Sequence, residues 1–236
     1  MNILVLGASS AVGAALAQEF ADDGNLILTG RDRARLETAA SGCRKPDDRT
    51  VEIMPIDLVE GGHALGDRLE GRNIDLIIDA ASASSARRDD EQSTAFLASS
   101  IDVDIMAKHA LWELLRQRQE VVPGVIFISS VLVRLRSPGR TVYSSLKQLY
   151  EAYLKRLAVE NPGLRSLVVH VGTVLDNRVV TDKTKGLAVA VREAYLAGNE
   201  YLSYGGSGRI MLVLNTIHPS LFSLAIRIQR ALRVRG

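Results

Sequence analysis

Residues 2–13 read Asn2-Ile-Leu-Val-Leu-Gly7-Ala-Ser-Ser-Ala-Val-Gly13 and combine an apolar run, two glycines and the start of a helical pattern. An unbroken apolar run of this length is typical of a strand buried in a parallel sheet. Gly7 permits a tight turn, and Gly13 permits the helix predicted over about 12–23 to pack closely on the sheet. This arrangement presents backbone N–H groups to a pyrophosphate, although an ordinary strand–helix turn has the same pattern.

A second strand is predicted over 25–30 and is followed by Arg31 and Asp32, roughly 20 residues after the glycine turn. In dinucleotide-binding proteins an acidic side chain at this distance binds the ribose of NAD, whereas an arginine accommodates the 2′-phosphate of NADP. Because the strand ends in Gly30 and Arg31 follows, the sequence favours NADP(H). NAD(H) stays open, since Asp32 can face the ribose and Arg31 can be a solvated residue at a helix start.

Five further strands alternate with helices along the chain. The strands are predicted over 51–56, 73–80, 125–130, 164–171 and 200–204, and the main helices over about 93–118, 141–160 and 184–198. This alternation predicts an α/β protein with a Rossmann-type, doubly wound, seven-stranded parallel sheet flanked by helices on both faces. Because no linker or repeat interrupts the pattern, we expect one domain over 1–236.

A tyrosine and a lysine one helical turn apart are candidate catalytic residues. Tyr143 and Lys147 share one face of a predicted helix. A fixed ammonium favours a phenolate and lowers the pKa of a phenol from about 10, which suits a general acid and base. Ser130, thirteen residues before the tyrosine, ends a predicted strand, where open α/β sheets bind ligands. The tyrosine–lysine spacing alone is also compatible with chance.

Composition narrows the class of protein. The chain is 47% hydrophobic and 24% charged, and its net charge of +2 is too balanced to indicate nucleic-acid binding. The only cysteine, Cys43, excludes an intrachain disulfide. The four histidines show no metal-ligand spacing, so no metal site is predicted; they are His63, His109, His170 and His218. With no basic segment before the first strand and no run of about 18 apolar residues, we expect a cytoplasmic protein.

The segment at about 207–236 differs from the rest of the chain. Two apolar stretches, 210–214 and 221–228, are followed by several arginines up to Arg235. A basic amphipathic tail of this kind can contact a membrane surface. The alternative, which we prefer, is packing over the substrate cleft or against another subunit.

Together these motifs resemble the short-chain dehydrogenase/reductase (SDR) family, in its compact single-domain branch, over roughly 1–205. The turn with Ser9 and Ser10 is similar to that branch's Thr-Gly-x-x-x-Gly-x-Gly turn, although Ala11 replaces the middle glycine. The family's catalytic triad is matched, with its interval, by Ser130, Tyr143 and Lys147.

The resemblance also implies roles for residues at the ends of the strands. Asp57 is similar to the family's adenine-contacting aspartate, and Asp104 stands where the family has a catalytic asparagine that holds a relay water. Asp79 begins a segment that replaces Asn-Asn-Ala-Gly, and Asp176 replaces a threonine that contacts the cofactor. The implied cofactor-binding residues are Gly7, Ser9, Ser10, Val12, Gly13, Arg31, Asp57, Leu58, Ala80, Ala81, Tyr143, Lys147 and Gly172.

The implied activity is hydride transfer between a nicotinamide and a carbonyl carbon. Ser130 would bind the carbonyl oxygen, Tyr143 would act as general acid and base, and Lys147 would lower the tyrosine pKa and bind the nicotinamide ribose. Asp104, a carboxylate in place of the asparagine, is expected near Lys147 and would shift the pH profile. A homodimer or homotetramer formed through the helices at 93–118 and 141–160 is also implied.

The substrate is less well defined. Five arginines border the predicted cleft and would attract an anionic compound such as a keto-sugar, but a solvated charged loop explains them equally; they are Arg87, Arg88, Arg134, Arg136 and Arg140. The alternatives are a nicotinamide-binding regulatory protein without turnover, and a dehydratase or epimerase on the same scaffold.

Overall fold

Seven parallel strands form a single sheet. The computed structural model describes residues 1–44, 48–60, 62–83, 93–134, 141–172 and 179–205. The strands are β1 Asn2–Leu6, β2 Asn25–Gly30, β3 Val51–Pro55, β4 Leu76–Asp79, β5 Gly124–Ser130, β6 Ser166–Val171 and β7 Tyr201–Tyr204. Their order is β3-β2-β1-β4-β5-β6-β7. The direction of winding reverses between β1 and β4, which opens a crevice at the carboxyl edge of the sheet.

Helices cover both faces of the sheet. They are α1 Ala11–Glu19, α2 Arg33–Ser41, α3 Gly62–Arg68, α4 Thr94–Ile101, α5 Ala107–Arg118, α6 Thr141–Glu160 and α7 Asp182–Leu196. Alternate residues of β1 enter different cores: Val5 packs with α1, α2 and α7, whereas Leu6 packs with α3, α5 and α6. The predicted fold class is therefore confirmed, and the near-continuous apolar strands follow from burial on both faces.

The long helix predicted over 93–118 is interrupted. Between α4 and α5 the chain forms a π-helical turn, Asp102–Met106, in which the N–H of Ala107 bonds to the carbonyl of Asp102. The spacing of apolar residues in the sequence does not distinguish a helix that contains one wider turn from a regular α-helix. Such turns occur frequently at functional sites, and this one contains Asp104.

Several sequence-based predictions fall on parts of the chain that the structure does not describe. They concern the tail at 207–236 together with Arg87, Arg88, Arg136, Arg140 and Asp176. Among the helices of the described residues, none is both long enough and apolar enough to cross a membrane.

Candidate active site

The turn after β1 requires both of its glycines. Gly7 has a positive φ of 77°, and a Cβ there would lie 2.8 Å from backbone atoms of Ala80 and Ala81. A Cβ on Gly13 would lie 2.3 Å from the carbonyl oxygen of Gly7. Ser10 is the N-cap of α1: its Oγ accepts a hydrogen bond from the N–H of Gly13 at 3.1 Å and donates to the carbonyl of Gly7 at 2.9 Å.

This turn brings the N-terminus of α1 to the crevice between β1 and β4. The first N–H groups of a helix have no partner within the helix. In α1 these groups belong to the residues from Ala11 onward, and the N–H of Gly13 is bonded to the side chain of Ser10. A helix N-terminus with unpaired N–H groups attracts phosphate. Ser9 lies against the end of β2, where a Cβ on Gly30 would come within 2.6 Å of its Oγ. The turn therefore fits a pyrophosphate.

Arg31 and Asp32, which follow β2, have different environments. Asp32 is the N-cap of α2: one carboxylate oxygen accepts the N–H of Arg35 at 3.1 Å, and the other is 3.3 Å from the same residue's guanidinium. Arg31 is exposed and forms no ion pair within the part of the chain that the structure describes. At the end of β2 the guanidinium of Arg31 is thus exposed, whereas the carboxylate of Asp32 is already engaged by Arg35 at the start of α2.

The remaining predicted cofactor residues also follow strand ends. Asp57 lies after β3 and accepts the N–H of Val59 at 3.1 Å, while Leu58 is buried beside it. Ala80 and Ala81 follow β4 against Gly7. Gly172 follows β6, and its N–H bonds to the carbonyl of Tyr204 at 3.3 Å. Because all strands are parallel, these segments share one edge of the sheet.

The three candidate catalytic residues lie around the carboxyl end of β5. Ser130 is the last residue of β5, and its Oγ accepts the N–H of Leu132 at 3.2 Å. Tyr143 is half-buried in the first turn of α6, and Lys147 follows one turn later. The ammonium of Lys147, only 3% exposed, donates to the carbonyl of Ile128 at 3.0 Å. Backbone groups at and just after the carboxyl end of β5 therefore bond to both the serine and the ammonium.

Asp104 forms its ion pair with a residue that the sequence did not single out. Its Oδ1 is 3.6 Å from the ammonium of Lys108, and its Oδ2 accepts hydrogen bonds from Ala83 N–H at 3.3 Å and Ser82 Oγ at 3.4 Å. Among the described residues, Asp104 and Lys147 form no ion pair. The carboxylate is thus engaged with the segment after β4.

A second buried polar cluster lies behind β5. The Oγ of Ser129 donates to Oε1 of Glu151 at 2.5 Å, and His170 Nε2 lies 3.0 Å from the same oxygen. Burial raises the pKa of Glu151, but hydrogen bonds from His170 and Ser129, with the charges of His170 and Arg134, outweigh it and lower the pKa below 4.5. Glu151 follows Lys147 by four residues on α6, a spacing that is common on exposed helix faces, so the sequence did not reveal this cluster.

Known proteins resemble this chain in sequence. A family model described as short chain dehydrogenase matches residues 1–187. An uncharacterised short-chain type dehydrogenase/reductase of Sinorhizobium fredii is 29% identical over 193 residues, which span 76% of this chain and 70% of that protein.

Solved structures resemble the chain at lower identity. A short-chain dehydrogenase of Streptomyces avermitilis superposes with a TM-score of 0.77 at 20% identity and covers 100% of this chain and 99% of its own. A short-chain dehydrogenase of Sphingobium yanoikuyae in complex with NADPH gives a TM-score of 0.74 at 22% identity, with 94% and 95% covered. These likenesses show the fold.

Proposed function

Since the chain belongs to the short-chain dehydrogenase/reductase family of oxidoreductases, we propose that it transfers hydride between NADP(H) and a carbonyl or alcohol substrate. The observation that carries this proposal is the convergence of Ser130 and the buried ammonium of Lys147 at the carboxyl end of β5, with Tyr143 one turn away. A nucleotide-binding turn and these three groups lie along one edge of the sheet.

Each of the three side chains has a distinct part in the proposed mechanism. The nicotinamide, when bound, supplies or accepts the hydride, and the protein orients and polarises the substrate. The hydroxyl of Ser130 binds the carbonyl oxygen of the substrate. The phenol of Tyr143 gives a proton to that oxygen during reduction and removes it during oxidation. The ammonium of Lys147 is a positive charge that favours the phenolate, and it is held in place by Ile128.

NADP(H) is the proposed coenzyme. Arg31 is exposed at the end of β2, whereas the carboxylate of Asp32 caps α2. A guanidinium pairs well with a phosphate, and Gly30 leaves no carboxylate at the strand end to repel it. The resemblance to a structure that holds NADPH supports the same preference.

An anionic carbonyl compound, such as a keto-sugar, is the proposed substrate class. Of the five arginines around the predicted cleft, Arg134 alone lies within the described residues, at the end of the short 3₁₀ turn after β5. Its charge is close enough to lower the pKa of the buried Glu151. Arg134 follows Ser130 by four residues, and a positive charge at that distance from the proposed catalytic serine would attract an anionic substrate.

A homo-oligomer is part of the proposal. Apolar side chains of the α4–α5 region and of α6 are exposed, among them Met106 and Leu149. These two line a shallow groove together with Ile105, His109 and Tyr153. Exposed apolar patches of this kind mark protein–protein interfaces. We further propose one dinucleotide-binding domain over 1–236 and a cytoplasmic location, in keeping with a sequence that contains a single cysteine, Cys43.

A screen of carbonyl compounds with a tyrosine variant tests the function. Keto-sugars, ketoacyl thioesters and simple ketones are each offered with NADPH and with NADH, and oxidation of the coenzyme is followed. We expect turnover with NADPH, and we expect Tyr143→Phe to abolish it while NADPH binding persists. Undiminished turnover in Tyr143→Phe would disprove the mechanism, and coenzyme binding with no turnover on any substrate would favour the regulatory alternative.

A further inference from the structure

A fully buried lysine connects the end of β4 to the π-helical turn. Lys108 is 1% exposed. Its ammonium lies 2.9 Å from Oδ2 of Asp79 and 3.6 Å from Oδ1 of Asp104, and it donates a hydrogen bond to the carbonyl of Ala81 at 3.1 Å. All three partners of this ammonium therefore belong to, or contact, the segment that follows β4.

The two carboxylates bind the same segment from both sides. The N–H of Ala81 donates to Oδ1 of Asp79 at 3.2 Å, and the N–H of Ala83 donates to Oδ2 of Asp104 at 3.3 Å. The backbone of Ala80 and Ala81 in turn forms the wall against which Gly7 turns, so closely that a Cβ on Gly7 would lie 2.8 Å away. The position of residues 80–83 thus sets the width of the crevice beside the nucleotide-binding turn.

The surroundings of the ammonium make this cluster costly to form unless every member is present. The ammonium lies 4.8 Å from the centre of the Tyr150 ring and 5.2 Å from that of Phe127. Burial and the charge of Asp79 raise the pKa of the Tyr150 phenol well above 10, so this neighbour is neutral. The unit therefore comprises two carboxylates and one ammonium in an apolar setting, where removal of one partner leaves a buried, unpaired charge.

We propose that Lys108 is a positioning residue for the coenzyme: with Asp79 and Asp104 it fixes residues 80–83 against the turn at Gly7. This inference rests on the proposed function, because it assumes that the crevice binds NADP(H). Neutral amides at positions 79 and 104 would form similar hydrogen bonds without a counter-ion. The ammonium of Lys108 balances the charge of the two carboxylates. It also donates a hydrogen bond to the carbonyl of Ala81, and this contact positions the backbone in addition to balancing charge.

Two variants separate positioning from charge balance. Lys108→Met removes the ammonium and leaves two buried carboxylates, whereas Asp79→Asn with Lys108→Met retains the net charge of the native cluster. We expect the single variant to lose stability or fail to fold. We expect the double variant, in which Asp104 is the one buried carboxylate left without the ammonium, to recover part of that stability and still to bind NADPH at least about tenfold more weakly, because the carbonyl of Ala81 has lost its donor.

The experiment measures the dissociation constant of NADPH and the free energy of unfolding by denaturant. The control is Lys185→Met, at an exposed position, which should keep the NADPH affinity and the stability of the unmodified protein. Amide hydrogen exchange at Ala81 and Ala83 is recorded without coenzyme and should be faster in the double variant than in the control. Native NADPH affinity and native exchange in the double variant would overturn the inference, since Lys108 would then only balance charge. Absence of coenzyme binding in the unmodified protein would instead overturn the proposed function, and the exchange result would still decide the role of Lys108.

Discussion

The Nε2 atom of His170 lies 3.0 Å from Oε1 of Glu151, and both side chains are almost fully buried, with 5% and 6% of their surface exposed. The same carboxylate oxygen accepts the hydroxyl of Ser129. One carboxylate therefore joins β5, β6 and α6 immediately behind Ser130 and one helical turn after Lys147. A contact that joins three elements at this point contributes to the alignment of the proposed catalytic groups.

Glu151→Gln tests the contribution of this carboxylate to stability. The pKa of Glu151 is lowered in the folded protein, so its contribution is present above pH 4.5 and is lost as the pH falls through the folded pKa. We expect the variant to be about 1–3 kcal/mol less stable at pH 7, because a buried charged hydrogen bond is replaced by neutral ones. Denaturant unfolding from pH 7 to pH 4 should show the difference narrowing below about pH 4.5.

The matched control is Glu160→Gln, which removes an exposed carboxylate from the same helix. Its stability should differ little from that of the unmodified protein at both pH values. A Glu151→Gln variant whose stability loss stays the same from pH 7 to pH 4 would show that the lowered pKa has no part in the effect.

Arg31→Ala tests the choice of coenzyme. Loss of one charge-assisted contact with a 2′-phosphate should weaken NADPH binding by about 10–100-fold, which corresponds to about 1.4–2.8 kcal/mol. NADH lacks that phosphate, so its affinity should stay unchanged. Isothermal titration with both coenzymes measures the two effects, and Arg33→Ala is the control, since Arg33 pairs with Glu37 on the exposed side of α2. Equal loss of NADPH and NADH affinity would contradict a contact specific to the 2′-phosphate.

Asp32→Ala tests whether the neighbouring carboxylate serves the helix or the ribose. As the N-cap of α2, Asp32 accepts the N–H of Arg35, and its loss should cost about 0.5–2 kcal/mol of stability. Coenzyme affinity should remain close to that of the unmodified protein. If NADH binding falls sharply while stability is retained, Asp32 contacts the ribose and the preference for NADP(H) is wrong.

Much of the fold follows from local sequence. The strand predicted at 25–30 and the helix predicted at 141–160 match β2 and α6, because apolar runs and helix-ending residues are local features. The strand predicted at 73–80 is shorter, Leu76–Asp79, and near its start the N–H and the carbonyl of Ile74 bond to the side chain of Gln119 rather than to a neighbouring strand. The position of the glycine turn after β1 could be predicted equally well, because it depends on glycines close together in the chain.

The buried charged residues could not be predicted from the sequence in the same way. Lys108 and Glu151 lie on helices, where lysine and glutamate are normally exposed, and nothing local distinguishes them from surface residues. Their partners come from other strands: Asp79 ends β4, and His170 lies in β6. Asp104 was expected near Lys147, but its ion pair is with Lys108, four residues later on the same helical stretch.

Gly13→Ala tests the close approach within the glycine turn. A Cβ at this position would lie 2.3 Å from the carbonyl oxygen of Gly7, which is backbone and has little room to move. We expect loss of at least about 1–3 kcal/mol of stability, as for other overpacked sites, together with weaker coenzyme binding. Ala11→Gly, which introduces a glycine two residues earlier, should cost no more than about 1 kcal/mol. Thermal unfolding and NADPH titration compare the two, and equal effects would contradict the packing argument.

Asp104→Asn tests whether the carboxylate in the π-helical turn affects catalysis. A negative charge near a phenol raises its pKa, so removal of the Asp104 charge should favour the phenolate of Tyr143. The acid limb of the pH profile for alcohol oxidation should therefore move to lower pH, while Ala83 N–H and Ser82 Oγ retain an acceptor in the asparagine oxygen. The profile is measured as kcat/KM from pH 5 to pH 10, with Asp102→Asn as the control within the same turn. An unchanged profile would mean that Lys108, 3.6 Å away, neutralises the carboxylate before its field reaches the tyrosine.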